Sequence, residues 1–106
     1  MYFIVVKFPV KPEFADAWPE ISRPFTEATR AEEGNLWFEW SRSVEDPNTY
    51  VLVEGFTEDG AGPHVSSAHF KQMQADFPQY LTATPQIVSR QVEGDAWGEM
   101  GELTVE

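Results

Sequence analysis

The chain has 106 residues with Lys+Arg 7, Asp+Glu 18 and no cysteine, giving a formal net charge of -11. One domain over residues 1–106 fits this length. Phosphate backbones and anionic membrane surfaces are disfavoured partners for so acidic a chain, so we expect neither nucleic acid nor membrane among its partners. Disulfides, thiolate catalysis and cysteine-ligated metals are excluded, a reducing cytoplasm is the simplest location, and the opening segment lacks the pattern of a signal peptide. Aromatic residues reach 14%, which calls for a large core, a pocket or an interface.

Residues 2–8, YFIVVKF, are β-branched and aromatic and predict a strand. Tyr2, Ile4, Val6 and Phe8 share one face, and Phe3, Val5 and Lys7 the other. Both faces are mainly apolar, which predicts a central strand. Pro12 suits a first helical turn, and Phe14, Trp18, Ile21, Phe25 and Ala28 recur at helical spacing. Pro19 and Pro24 predict a kink, or two short helices, across 12–32, and Gly34 a C-terminal cap of that helix. Residues 35–43 and 49–57 predict two strands joined at Glu45-Asp46-Pro47-Asn48, with proline at the second position of a type I turn. Pro63 opens a second helix to about Phe77, where Pro78 breaks it. Residues 85–93 predict a fourth strand, and 95–106 a C-terminal extension able to add one short strand.

The order is βαββαβ, for which one four-stranded antiparallel sheet with two helices on one face is the compact α+β solution. The other face retains Val, Ile and aromatic side chains. A second copy packing sheet on sheet, a homodimer, would cover it and create a sheltered chamber.

A turn at 45–48 places opposite one another the residues whose numbers sum to 93. Trp37 then faces Phe56 and Glu39 faces Glu54, while Leu36, Phe38, Trp40, Val51 and Val53 form an apolar core face. Two carboxylates across a strand pair repel, and desolvation raises the pKa of one of them, which suits general acid–base chemistry. Solvation of both, or neutralisation by Lys7 or Arg90, is the alternative. His64 and His69 are five apart, about 140° around one helix, so no metal site is expected of them. His69 borders the apolar stripe and is the first choice of base, with Glu54 and Glu39 next. Trp37 suits the wall of an aromatic pocket and Trp40 the core; Asn35 is either a turn residue or a donor to a ligand. No G-x-G-x-x-G, Walker loop or G-x-S-x-G is present, so no nucleotide or flavin fingerprint implies a cofactor.

Glu32-Glu33-Gly34-Asn35-Leu36-Trp37-Phe38-Glu39-Trp40 resembles the E-P-G-x-L-x-Y-E-L segment of antibiotic-biosynthesis monooxygenase domains. Glu45-Asp46-Pro47 and Tyr50–Phe56 resemble their D-P turn and V-L-Y-E-x-W strand, and His64–Phe70 their H-x-x-S-x-H-F helix. Together these motifs fall within residues 2–93. The resemblance implies a ferredoxin-like protomer, a dimeric α+β barrel, and a cofactor-independent monooxygenase. Quinols or polycyclic phenols and O₂ would be its substrates. His69, Glu54 and Glu39 are its candidate catalytic residues, and Asn35, Trp37, His64 and Phe56 its candidate substrate-binding residues. A non-catalytic small-molecule-binding dimer and a haem-handling protein are the alternatives. Haem chemistry is disfavoured because Met73 and Lys7 stand where haem-degrading relatives carry a histidine and an asparagine.

Overall fold

The computed structural model describes residues 1–106. Strands β1 (Tyr2–Pro9), β2 (Asn35–Arg42), β3 (Thr49–Phe56) and β4 (Gln86–Gln91) form one antiparallel sheet in the order β2-β3-β1-β4. Helices α1 (Trp18–Arg30), α2 (Ala61–Val65) and α3 (Ala68–Asp76) cover one face. This is the ferredoxin-like arrangement that the element order predicts, with β1 central between β3 and β4.

The covered face carries Val6 and Phe8 from β1, Tyr50 and Leu52 from β3, and Phe38 from β2. Trp18, at 0% exposure, plugs the middle of this layer and meets Trp40 and Phe77 edge-on, with ring centroids 5.7 and 4.8 Å away. Small polar residues of α1 complete the packing: Thr26 Oγ1 accepts from Trp40 Nε1 (2.8 Å) and donates to the Ser22 carbonyl (2.9 Å). The segment 12–32 resolves into a 3-10 turn at Pro12–Phe14 followed by the 13-residue α1. Pro19 lies in the first helical turn, where its missing N–H costs nothing, and Pro24 faces solvent, as does Glu20, whose carbonyl it leaves unpaired.

Four expectations are corrected. The second helix is broken into α2 and α3, because Ser67 caps α3: its Oγ accepts from Phe70 N (3.2 Å) and donates to the His64 carbonyl (2.6 Å). Gly34 has no positive φ, so it is not a left-handed cap; it is a crossing point, where a Cβ would stand 2.4 Å from Gly60 Cα. Residues 92–106 form no strand; instead Trp97 lays its ring against Trp37 on the open face, centroids 5.2 Å apart.

The fourth correction is the hairpin register. The turn is Asp46–Thr49, closed by Thr49 N donating to Asp46 O (2.9 Å), with Pro47 at its second position. The Asp46 carboxylate accepts from Asn48 N and Thr49 Oγ1, which fixes this turn one residue beyond the expected one. The strands themselves close across a longer loop, where Ser43 N donates to Thr49 O (2.9 Å), so facing residues sum to 92: Phe38 faces Glu54, Glu39 faces Val53 and Trp40 faces Leu52. A bulge at Leu36 shifts the start of the strand again, so that Asn35, not Trp37, faces Phe56. A one-residue shift exchanges sheet faces. Glu54, Leu52 and Phe56 join the core side, while Trp37, Glu39, Val51 and Val53 lie on the open side.

Candidate functional site

Four titratable side chains converge under α2 and α3. Glu32 lies in the turn between α1 and β2, Glu54 near the end of β3, His64 on α2 and His69 in the first turn of α3. The Gly34–Gly60 crossing brings the Glu32 turn against the start of α2, and Thr57 N donates to Gly34 O (2.9 Å) to hold it there. The Ser67 joint then turns α3 back so that His69 reaches the same carboxylate as His64.

Glu32 Oε2 accepts from His64 Nδ1 (2.7 Å) and from His69 Nε2 (2.6 Å). A carboxylate only accepts, so both of these ring nitrogens carry hydrogens. His64 is 4% exposed and its ring lies along Phe56, centroids 4.5 Å apart. Desolvation lowers its pKa, against the opposing pull of Glu32, which keeps the ring neutral and leaves Nε2 as an acceptor. Nε2 stands 3.7 Å from Glu54 Oε1. Glu54 is 6% exposed, and burial, with a smaller contribution from the charge of Glu32, pushes its carboxyl up to about 8. A single line of polar groups thus runs from Glu54 through His64 and Glu32 to His69 near the surface.

Glu54 and His64 are the polar part of the wall of a chamber of about 250 Å³. Ile4, Val6, Phe25, Leu52, Phe70 and Met73 supply most of the remainder, and Ile87 of β4 bounds its outer side. The chamber lies within one protomer, between the sheet and the helices, and not on the open face where the hydrophobic patterning pointed. Apolar walls with few polar groups are the usual composition of a small-molecule site.

The candidate residues divide accordingly. Glu54 and His64 line the chamber; His69 joins them through Glu32; Phe56, fully buried, backs the His64 ring. Glu39 is exposed on the opposite face, so the Glu39–Glu54 pair does not form. Trp37 lies on the open face over Gly55, where a Cβ would stand 2.6 Å from its ring. Asn35 spans the bulge: its Nδ2 donates to the carbonyls of Trp37 (3.0 Å) and Gly55 (3.4 Å). Glu32 is the functional candidate that pattern reasoning passed over. No periodicity marks a carboxylate in a turn; its only signal was its place at the head of the E-x-G-x-L segment. The helical-wheel angle that separated His64 from His69 assumed one continuous helix. With the break at Ser66-Ser67, the two rings stand 6.1 Å apart and face one carboxylate. Glu32, His64 and His69 are also the three side chains placed to hold a metal ion, their donor atoms lying within 4.8 Å of one another.

Residues 1–76 match the family described as antibiotic biosynthesis monooxygenase. The chain belongs to this family. It is 30% identical over 80 residues to the Bacillus subtilis (strain 168) protein named "Putative monooxygenase YcnE", covering 74% of this chain and 84% of that protein. Among solved structures, it resembles "Putative antibiotic biosynthesis monooxygenase from Nitrosomonas europaea" at 26% identity and TM-score 0.78, over 89% of this chain and all of that one. Rv0793 from Mycobacterium tuberculosis shares the fold at 20% identity and TM-score 0.79, over 91% of this chain and 98% of that one. No helix is long and apolar enough to cross a membrane.

Proposed function

We propose that this member of the antibiotic biosynthesis monooxygenase family oxidises a quinol or polycyclic phenol with O₂ in the chamber between sheet and helices. The observation that carries the reading is one carboxyl group, Glu54, buried in an otherwise apolar wall beside a neutral imidazole. Family membership and the name of the Bacillus subtilis relative support a monooxygenase reaction.

Glu54 is the base in this reading. Few polar groups solvate its charge, so its carboxylate takes a phenolic proton more readily than an exposed glutamate does. The phenolate ring is then electron-rich enough to donate to O₂. One oxygen atom bonds to ring carbon and the other leaves as water. The four electrons that reduce O₂ all come from the substrate, so a quinol becomes a hydroxyquinone and no external reductant is consumed. The apolar walls limit the water around the ring, which packs against Leu52 and Phe25. His64 stands beside Glu54, and His69 supports it from outside through Glu32. The protein works as a homodimer joined through its open sheet faces.

The test is O₂ uptake with a panel of hydroquinones and anthrones. Catalysed uptake is expected, falling roughly 10²-fold or more in Glu54→Gln and remaining in Glu39→Gln. No uptake across the panel, with the same compounds raising the melting temperature, would establish a binding module instead.

A further inference from the structure

We infer that Glu32, His64 and His69 form a two-histidine, one-carboxylate site for a divalent transition-metal ion of the Zn²⁺/Co²⁺/Fe²⁺ class. The three donors come from three separate elements: the α1–β2 turn, α2 and α3. They are held by two independent devices, the Gly34–Gly60 crossing and the Ser67 joint.

Glu32 Oε2 sits 2.7 Å from His64 Nδ1 and 2.6 Å from His69 Nε2. Donors around a tetrahedral ion with bonds of roughly 2.0–2.1 Å stand about 3.3 Å apart, so each nitrogen draws back from the oxygen by well under 1 Å, while the two nitrogens, now within 4.8 Å of each other, settle to the same spacing. The ion takes the place of the hydrogens that now bridge them, and the ring nitrogens bind it in their unprotonated form. The other oxygen, Glu32 Oε1, is buried and has no hydrogen-bond partner. A buried carboxylate oxygen without a partner is costly, and a second bond to the same ion satisfies it.

An approach for the ion is built in. Glu32 forms part of a surface groove of about 610 Å³ whose lining contains no hydrophobic side chain. The groove carries Glu33 and Asp59, with Thr57 and Pro63 beside them, on a chain of net charge -11. An acidic funnel raises the local concentration of cations. On the inner side, His64 bound through Nδ1 turns Nε2 toward Glu54, the arrangement in which a carboxylate orients a metal-bound imidazole. Two imidazole nitrogens and one carboxylate favour a borderline ion over Ca²⁺ or Mg²⁺, which prefer all-oxygen shells. The site lies outside the chamber lining apart from His64, and it goes beyond the oxidation proposed above, in which no step uses a metal.

Co²⁺ tests the site, because its visible d–d absorption reports coordination by nitrogen and oxygen ligands directly. Chelator-treated full-length protein is titrated with Co²⁺ at pH 7, then with competing Zn²⁺. One Co²⁺ per chain with a visible band, displaced by Zn²⁺, is expected. His69→Ala, at a partly exposed position that folding tolerates, and Glu32→Gln each weaken binding by roughly 100-fold or more. Glu39→Gln, on the far side of the sheet, leaves binding unchanged. Absence of a band, or equal binding by His69→Ala with circular dichroism unchanged, would overturn the assignment. No quinol and no O₂ measurement enter this titration, so its failure and the failure of the oxidation reading are separate results.

Discussion

At the residue scale the controlling feature is Glu54. A carboxyl group ordinarily titrating at 4.5 and raised to about 8 in the folded chain favours the native state when protonated. Its contribution is fully present below pH 4.5 and is lost as pH rises through 8, because across that window the folded protein binds the extra proton. His64 works in the opposite sense: its lowered pKa makes stability rise as pH climbs toward the ordinary histidine value of 6.5, above which the gain is complete. Glu32 and His69 face the same cluster, so the comparison must isolate one group. In chelator, wild type minus Glu54→Gln is expected to lose a few kcal/mol of relative stability between pH 5 and pH 8, read as a fall of roughly 10 °C in the melting-temperature difference. A pH-independent difference would show that Glu54 does not carry this proton.

At the element scale, the site depends on joints between elements more than on the elements themselves. The Gly34–Gly60 crossing leaves no space for a methyl group, since Cβ atoms there would stand 2.4 and 2.7 Å from the opposing Cα. Gly34→Ala should cost about 1–3 kcal/mol, measured by urea unfolding, as the two backbones are pushed apart. It should also separate Glu32 from His64, so Co²⁺ binding weakens in the variant that still folds. A stability equal to wild type would show that the crossing is loose.

At the scale of the whole molecule, the open face of the sheet is the unfinished part. Phe3, Val5, Val51, Val53 and Trp37 are only partly covered, Val88 remains 57% exposed, and Trp97 covers part of Trp37. Apolar surface of this kind is the expected ground for a two-fold contact. We predict sedimentation near 24 kDa, twice the 12.1 kDa of the chain. Val53→Lys should shift this toward the monomer and leave the chamber lining intact. A monomeric wild type at micromolar concentration would remove the sheet-to-sheet contact.

The sequence by itself determined the order of elements, the central place of β1, a turn at Pro47 between β2 and β3, and the candidacy of Glu54, His64 and His69. These follow from local chemistry: β-branched runs, proline positions, and the few residue types able to move protons at neutral pH. Tertiary structure decided which face each residue serves. One residue of register in the hairpin moved Glu54 into the helix-covered core and left Glu39 in solvent, and one serine cap broke a helix so that two histidines met Glu32. Neither outcome is legible in periodicity, because a period of two cannot report its own origin, and a helical wheel assumes the helix it measures.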